Sequence, residues 1–220
     1  MNTLGTLNIL MAMKELNPGC TLVYASTGSV YGEPQYNPQD EGHPLRPVSP
    51  YGVSKLAAER YVSLWTQLYH TRAAMLRYYN VYGPRQNYGK KGGVIGIFID
   101  RVLRGEPPII EGTGENERCF TYVDDVVNAN LLAATRKSAI GHPVNIGNTE
   151  ITTIKALADM TIELGKKDLK PVYGPARVGD IAVFRPDISL AEKLLGYRPA
   201  VMIREGLQKT LDWFIRTGKV

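Results

Sequence analysis

The sequence predicts an α/β protein that is built on a parallel sheet. Short apolar runs alternate along the chain with longer stretches whose apolar residues recur at helical spacing, which is typical of strands joined by helical crossovers. Two of the runs lead directly into hydroxyl or aromatic residues, and the carboxyl ends of parallel strands are where such sheets bind ligands. The 220 residues suffice for one substantial core, or for a reduced domain and a smaller one.

The elements follow one another in a regular order. The first helix is predicted at residues 4–16, because Leu4, Leu7, Leu10 and Met11 recur at helical spacing, and an apolar run at 22–26 predicts the first strand. Ser49 is a good N-cap before the next helix, at 51–69. Further apolar runs predict strands at 73–78 and 144–146, and periodic stretches predict helices at 95–103, 123–135, 154–164, 188–195 and 203–215.

The composition excludes several classes of protein. Hydrophobic residues make up 44% of the chain and charged residues 21%, no apolar run approaches membrane-spanning length, and residues 1–18 lack the features of a signal peptide. Cys20 and Cys119 have no metal-type spacing, so no metal site is predicted. The net charge of +5 suits an anionic small molecule, whereas the basic residues are too sparse for nucleic acid. We expect a cytoplasmic protein that binds neither nucleic acid nor membranes.

Tyr51 and Lys55 form the most informative pair in the chain. Ser49 and Pro50 begin a helix, so Tyr51 and Lys55 lie four residues apart on one face near its start. A neighbouring ammonium favours the phenolate, and a tyrosine activated in this way is a general base for a sugar hydroxyl. Taken alone, the pair would fit an exposed tyrosine beside a solvated lysine.

The segments around this pair resemble the extended short-chain dehydrogenase/reductase superfamily, in particular its NAD-dependent nucleotide-sugar epimerases. The matching segments are residues 25–32, 49–59, 76–85, 118–125, 145–147 and 179–181, in the family's order along essentially the whole chain. The resemblance implies a Rossmann-like parallel sheet, a smaller α/β substrate-binding domain, NAD as cofactor and a UDP-sugar as substrate.

One family feature has no counterpart in the sequence. The family's glycine-rich turn holds the NAD pyrophosphate at a helix N-terminus, but no G-x-G-x-x-G or G-x-x-G-x-x-G follows a strand here. Residues 1–18 instead resemble a later helix of the dinucleotide domain. The resemblance therefore implies a partial Rossmann-like sheet without its N-terminal half, and this chain alone is expected not to retain NAD. Residues 1–79 would be the remnant of the dinucleotide-binding domain, and 80–220 the substrate-binding domain with segments returning to the sheet.

The resemblance also implies roles for single residues. Tyr51 would remove the 4-OH proton with Thr27 assisting at the 4-oxygen, and Lys55 would hold the nicotinamide ribose. Without the resemblance, Thr27 would be a strand-end hydroxyl that caps a turn. The other implied contacts are Tyr78 to the nicotinamide, Ser29 near the sugar, Asn80 to the sugar-nucleotide phosphate, Arg118 and Arg177 to the diphosphate, Asp180 in a structural or ribose role, and Phe184 beside the sugar C2 substituent.

Gly28 and Ser29 separate the possible reactions. The family's 4,6-dehydratases carry an acidic pair directly after the threonine, and its decarboxylases carry a glutamate two residues after it. Here those positions offer no carboxyl group. The resemblance therefore implies a 4-epimerase of the UDP-glucose/UDP-galactose type.

Three further expectations stay open at this point. A UDP-glucuronate or a UDP-N-acetylhexosamine 4-epimerase also matches the motifs. A catalytically silent sugar-nucleotide binding or dimerisation protein is the alternative from another functional class. Two helices that match residues 4–16 and 53–69 form an intermolecular bundle in the family, so the resemblance implies a homodimer.

Overall fold

Helices and strands alternate along the chain in the computed structural model, which describes residues 2–88, 92–176 and 181–218. The helices are α1 (Asn2–Leu16), α2 (Pro50–Tyr69), α3 (Val94–Leu103), α4 (Val123–Thr135), α5 (Ile154–Leu164), α6 (Ser189–Leu195) and α7 (Ile203–Thr217). The strands are β1 (Thr21–Thr27), β2 (Arg72–Tyr78), β3 (Val81–Tyr82), β4 (Ile109–Glu111), β5 (Glu117–Cys119), β6 (Thr121–Tyr122), β7 (Pro143–Ile146), β8 (Ile151–Thr153), β9 (Val172–Gly174) and β10 (Val183–Phe184).

The main sheet is parallel, with the strand order β1-β2-β7. Thr27 pairs with Tyr78 and Tyr78 with Ile146, so the three strands end at the same edge of the sheet. The predicted α/β class with a parallel sheet is confirmed.

The two faces of this sheet pack against different helices, because successive side chains of a strand point in opposite directions. Ala73 and Met75 of β2 pack with Leu10 of α1 and with Ala58 and Val62 of α2. The alternate residues of β2 face a second cluster, formed with α4 and α6, which contains Ala74, Leu76, Val126, Ala129, Ala133, Ala191 and Leu195. The result is a helix–sheet–helix sandwich.

Helices α1 and α2 run side by side in the same direction. Near their N-termini, Asn2 Nδ2 donates to Ser54 Oγ at 3.0 Å and Thr3 Oγ1 donates to Ser54 O at 3.1 Å. Near their C-termini, Lys14 Nζ lies 3.7 Å from the centre of the Tyr69 ring. Contacts near both ends therefore fix α1 against α2.

The second part of the chain has a core of its own between α3, α5 and α7. Its small sheets bring distant segments together, and β5 pairs with β10 on one side and with β8 on the other. This pairing places Phe184 opposite Arg118. No helix within the described ranges combines the length and the apolar character that a membrane crossing requires. The core between α3, α5 and α7 includes Ile95, Phe98, Ile99, Leu157, Leu207, Leu211 and Phe214.

Candidate active site

The carboxyl end of β1 supplies two hydroxyl groups. The chain turns at Thr27 into a short 3-10 helix, Gly28–Val30, and Thr27 Oγ1 caps it by accepting from Ser29 N at 3.2 Å. Thr27 Oγ1 also donates to Ser29 Oγ at 3.2 Å. The expected cap and the expected pair of neighbouring hydroxyls therefore occur together.

The start of α2 is held directly against this turn. Ser49 is the N-cap and accepts from Gly52 N at 3.1 Å, and Pro50 is the first helical residue, as predicted. A Cβ on Gly52 would lie 2.7 Å from Ser29 O, so only glycine allows this approach. Because Gly52 follows Tyr51, the backbone at Tyr51 lies next to the Thr27–Ser29 turn, and the Tyr51 side chain is half-exposed.

Lys55 reaches from the next turn of α2 to the strand. Its Nζ donates to Ala25 O at 2.8 Å, two residues before Thr27. Tyr24 lies on the same side, with its OH donating to Lys55 O at 3.3 Å and its ring centre 5.3 Å from Lys55 Nζ. Burial lowers the pKa of Lys55, and burial followed by the charge of Glu59 raises the pKa of Tyr24 to about 12. The ammonium is therefore fixed at the end of β1.

Glu59 follows one turn later and anchors α2 to the sheet. Its carboxylate accepts from Ser26 Oγ at 2.5 Å and forms a bidentate pair with Arg77, in which Arg77 Nε lies 3.1 Å from Oε2. Arg77 Nη1 donates to Tyr31 OH at 2.7 Å, and Tyr31 OH donates to Asn145 Oδ1 at 2.7 Å. Glu59 and Arg77 are almost completely buried. Since buried charges are stable only when paired, this network fixes the rotation of α2 about its axis.

Two stacked rings cover Gly28. The rings of Tyr79 and Phe184 lie 4.6 Å apart at an interplanar angle of 29°. A Cβ on Gly28 would lie 2.8 Å from Cζ of each ring. Phe184, which is distant in sequence, is thereby brought to the Thr27–Ser29 turn.

The residues expected at the sugar-nucleotide side also lie nearby. Asn80, in a left-handed backbone conformation with φ 39°, donates from Nδ2 to Cys119 O at 3.0 Å. Arg118 Nη1 donates to Glu117 O at 2.9 Å and lies 3.4 Å from Ala182 O. Thr27, Ser29, Tyr51, Lys55, Tyr78, Asn80, Arg118 and Phe184 thus surround one end of the sheet, whereas Arg177 and Asp180 lie outside the described residues.

Comparison with known proteins identifies the family of the chain. The model of the NAD dependent epimerase/dehydratase family matches residues 1–147. The chain belongs to this family.

Relatives of this family member include enzymes that act on different UDP-sugars. A putative UDP-glucose 4-epimerase of Methanocaldococcus jannaschii is 42% identical over 214 residues, which cover 97% of this chain and 68% of the relative. The crystal structure of UDP-glucose 4-epimerase from Thermotoga maritima with UDP-glucose has a TM-score of 0.93 and 38% identity, covering 98% of this chain and 70% of that one. The UDP-glucuronic acid 4-epimerase of Bacillus cereus, in complex with UDP-glucuronic acid and NAD, has a TM-score of 0.89 and 32% identity, covering 98% and 68%.

Three residues that would hold one end of an NAD molecule lie close to the same edge of the main sheet. They are Tyr51, Lys55 and Tyr78, near the ends of β1 and β2, and open α/β sheets bind their ligands at this edge. Tyr78 OH donates to Asn130 Oδ1 at 2.9 Å, which orients the ring, and burial raises the pKa of Tyr78. The sequence of this family member contains no glycine-rich turn for the pyrophosphate.

Sequence reasoning missed the residues that support the site. Gly52 and the Glu59–Arg77 pair were not singled out, although one signal was available. Arg77 interrupts an otherwise apolar strand, and a buried arginine requires a carboxylate partner. Glu59 lies four residues after Lys55, on the face of α2 that carries Tyr51.

Proposed function

We propose that the chain provides the catalytic residues for 4-epimerisation of a UDP-sugar of the UDP-glucose/UDP-galactose type. The observation that supports the proposal is the close approach of the start of α2, at Gly52 next to Tyr51, to Ser29 O in the turn that carries the Thr27 and Ser29 hydroxyls. Lys55, held on Ala25 O, supplies a positive charge one helical turn away. A tyrosine, a lysine and a hydroxyl in this arrangement suit proton removal from a secondary alcohol.

In this mechanism Tyr51 takes the proton of the sugar 4-OH, and Thr27 hydrogen-bonds to the 4-oxygen. Lys55 stabilises the tyrosinate through its charge and holds the nicotinamide ribose. Lys55 and Tyr78 would hold the nicotinamide end of NAD, and bound NAD would supply a reversible hydride acceptor for C4 of the sugar. The 4-keto sugar then rotates so that the hydride returns to its other face, and Tyr51 gives the proton back to the 4-oxygen.

The two rings that lie against Gly28 support a proposal of epimerisation rather than dehydration. A dehydratase needs an acid close to the catalytic threonine in order to expel water. A side chain at position 28 would collide with the rings of Tyr79 and Phe184, and Ser29 carries a hydroxyl rather than a carboxyl group. Epimerisation moves one hydride and one proton and requires no further acid.

The proposal is tested by supplying the part of the relatives that this chain does not cover. The purified chain is mixed with the N-terminal third of the Thermotoga maritima enzyme, together with NAD and UDP-galactose, and UDP-glucose is followed by chromatography. Turnover is expected in the mixture. The chain alone is expected to release no NAD on denaturation and to give no product. Absence of turnover in a mixture that forms a stable complex would favour the silent binding or dimerisation protein.

Phe184 is expected to restrict the substrate to sugars with a small C2 substituent. Its ring lies over Gly28 beside the hydroxyl turn, where an N-acetyl group would be crowded. In Phe184→Cys the ratio of Kd for UDP-N-acetylglucosamine to Kd for UDP-glucose should fall by about tenfold, the scale for relieving one steric clash. Calorimetry with both ligands measures the ratio, and an unchanged ratio would reject this role.

We also propose that the chain forms a homodimer through the helices at 4–16 and 53–69. An apolar stripe remains exposed along α2, formed by Val53, Tyr61, Leu64 and Leu68, and exposed patches of this kind mark interfaces. Light scattering at micromolar concentration is expected to give twice the chain mass. Leu64→Asp should yield monomers, whereas Leu131→Asp, at a still more exposed leucine on α4, should not. A monomeric wild type would contradict the proposal.

A further inference from the structure

Gln39 is a completely buried polar residue that the mechanism above does not use. It lies in the irregular segment between the 3-10 helix Gly28–Val30 and α2, and it bonds to the segment that directly follows β10, the strand that carries Phe184. Gln39 N donates to Arg185 O at 2.8 Å, and Asp187 N donates to Gln39 O at 2.7 Å. These two bonds fix the backbone directly after Phe184.

The side chain of Gln39 holds the other member of the ring stack. Tyr79 OH donates to Gln39 Oε1 at 3.2 Å, and the Tyr79 ring lies against Phe184. A single residue therefore fixes both rings, one through its backbone and the other through its amide oxygen. The two rings in turn lie directly on Gly28.

A role in stability alone does not account for glutamine at this position. Among the described residues, Gln39 Nε2 is buried without a hydrogen-bond partner, and an unsatisfied buried donor costs free energy. An apolar side chain of similar size would avoid that cost. The feature that an apolar side chain could not supply is the acceptor for Tyr79 OH.

We propose that Gln39 is a positioning residue that fixes the Tyr79–Phe184 stack over Gly28 and so determines how much room the site leaves beside the sugar C2. The statement about the sugar rests on the proposed function, whereas the statement about the rings does not. Gln39 acts through Tyr79 and Phe184, without itself reaching the reacting atoms.

The position of the rings can be measured without any ligand. Protons of Gly28 lie against two aromatic rings, so their NMR chemical shifts depend on where those rings are. In Gln39→Leu the Gly28 Hα shifts are expected to move toward their values in an unstructured glycine. Tyr79→Phe removes the same hydrogen bond from the other side and should produce the same change, and the double variant should add little to either single change.

Thr210→Val is the matched control, because Thr210 is equally buried, its hydroxyl donates to Gly206 O within the same helix, and that helix, α7, packs in the other core. Its Gly28 shifts should equal those of the wild type. Unchanged Gly28 shifts in folded Gln39→Leu, or in Tyr79→Phe if the former does not fold, would overturn the proposal.

The consequence for the sugar is measured separately by calorimetry. In Tyr79→Phe the ratio of Kd for UDP-N-acetylglucosamine to Kd for UDP-glucose is expected to fall by about fivefold, the scale of one lost hydrogen bond. A wild-type chain that binds neither ligand would count against the proposed function, while the Gly28 shifts would still decide the role of Gln39. Moved Gly28 shifts with an unchanged Kd ratio would overturn the role in specificity.

Discussion

Replacing Tyr51 with phenylalanine is expected to lower the turnover number of the reconstituted enzyme by about 10²- to 10⁴-fold, the scale for losing a positioned general base. The ring of phenylalanine keeps the shape of the site, so the KM for the UDP-sugar should change little. The measurement is the steady-state conversion of UDP-galactose in the mixture described above.

Tyr173→Phe is the control for this change, because Tyr173 is as exposed as Tyr51 and lies on β9, which pairs with β4 and not with the strands of the main sheet. Its turnover number is expected to match the wild type. If Tyr51→Phe retained near-wild-type turnover, the assignment of the base would be wrong.

Glu59→Gln is expected to lower the free energy of unfolding by about 3–5 kcal/mol, because it leaves the Arg77 guanidinium charged, buried and without its counter-ion. Urea titration followed by circular dichroism measures the change through the shift of the midpoint at constant slope. Replacing both residues with leucine should recover much of the loss, since the buried charge is then removed.

Glu163→Gln provides the comparison for that experiment. Glu163 also forms a bidentate pair with an arginine, Arg204, but both side chains are exposed. Its loss is expected to lower the free energy of unfolding far less than Glu59→Gln does, because solvent screens exposed pairs. A cost for Glu59→Gln as small as that of Glu163→Gln would show that the buried pair does not hold α2 to the sheet.

Most of the fold could be predicted from the sequence because its signals are local. Apolar spacing predicted the helices and the strands of the main sheet, and Ser49 with Pro50 located the start of α2 to the residue. The short strands of the second part were less accessible. Residues 183–184 carry no strand signal of their own and become a strand only by pairing with β5.

The residues of the candidate site also differ in how far the sequence alone could predict them. The Tyr51–Lys55 pair and the hydroxyls after β1 are visible as short motifs, so their placement could be anticipated. Gly52, Gln39 and the Glu59–Arg77 pair depend on partners that are distant in sequence, and nothing local identifies those partners. Candidate substrate-binding residues are therefore easier to identify from the sequence than the residues that support their position.

The hydroxyl pair at the end of β1 sets a condition on any new hydrogen bond that Thr27 donates. Thr27 Oγ1 already donates its proton to Ser29 Oγ, and a hydroxyl group has one proton to donate. In the proposed mechanism, donation from Thr27 to a sugar oxygen would therefore replace the bond to Ser29, and the number of hydrogen bonds donated by Thr27 would stay the same. Such an exchange would add little to the affinity for the sugar. A ligand that presents no oxygen at that point would leave the bond between Thr27 and Ser29 intact.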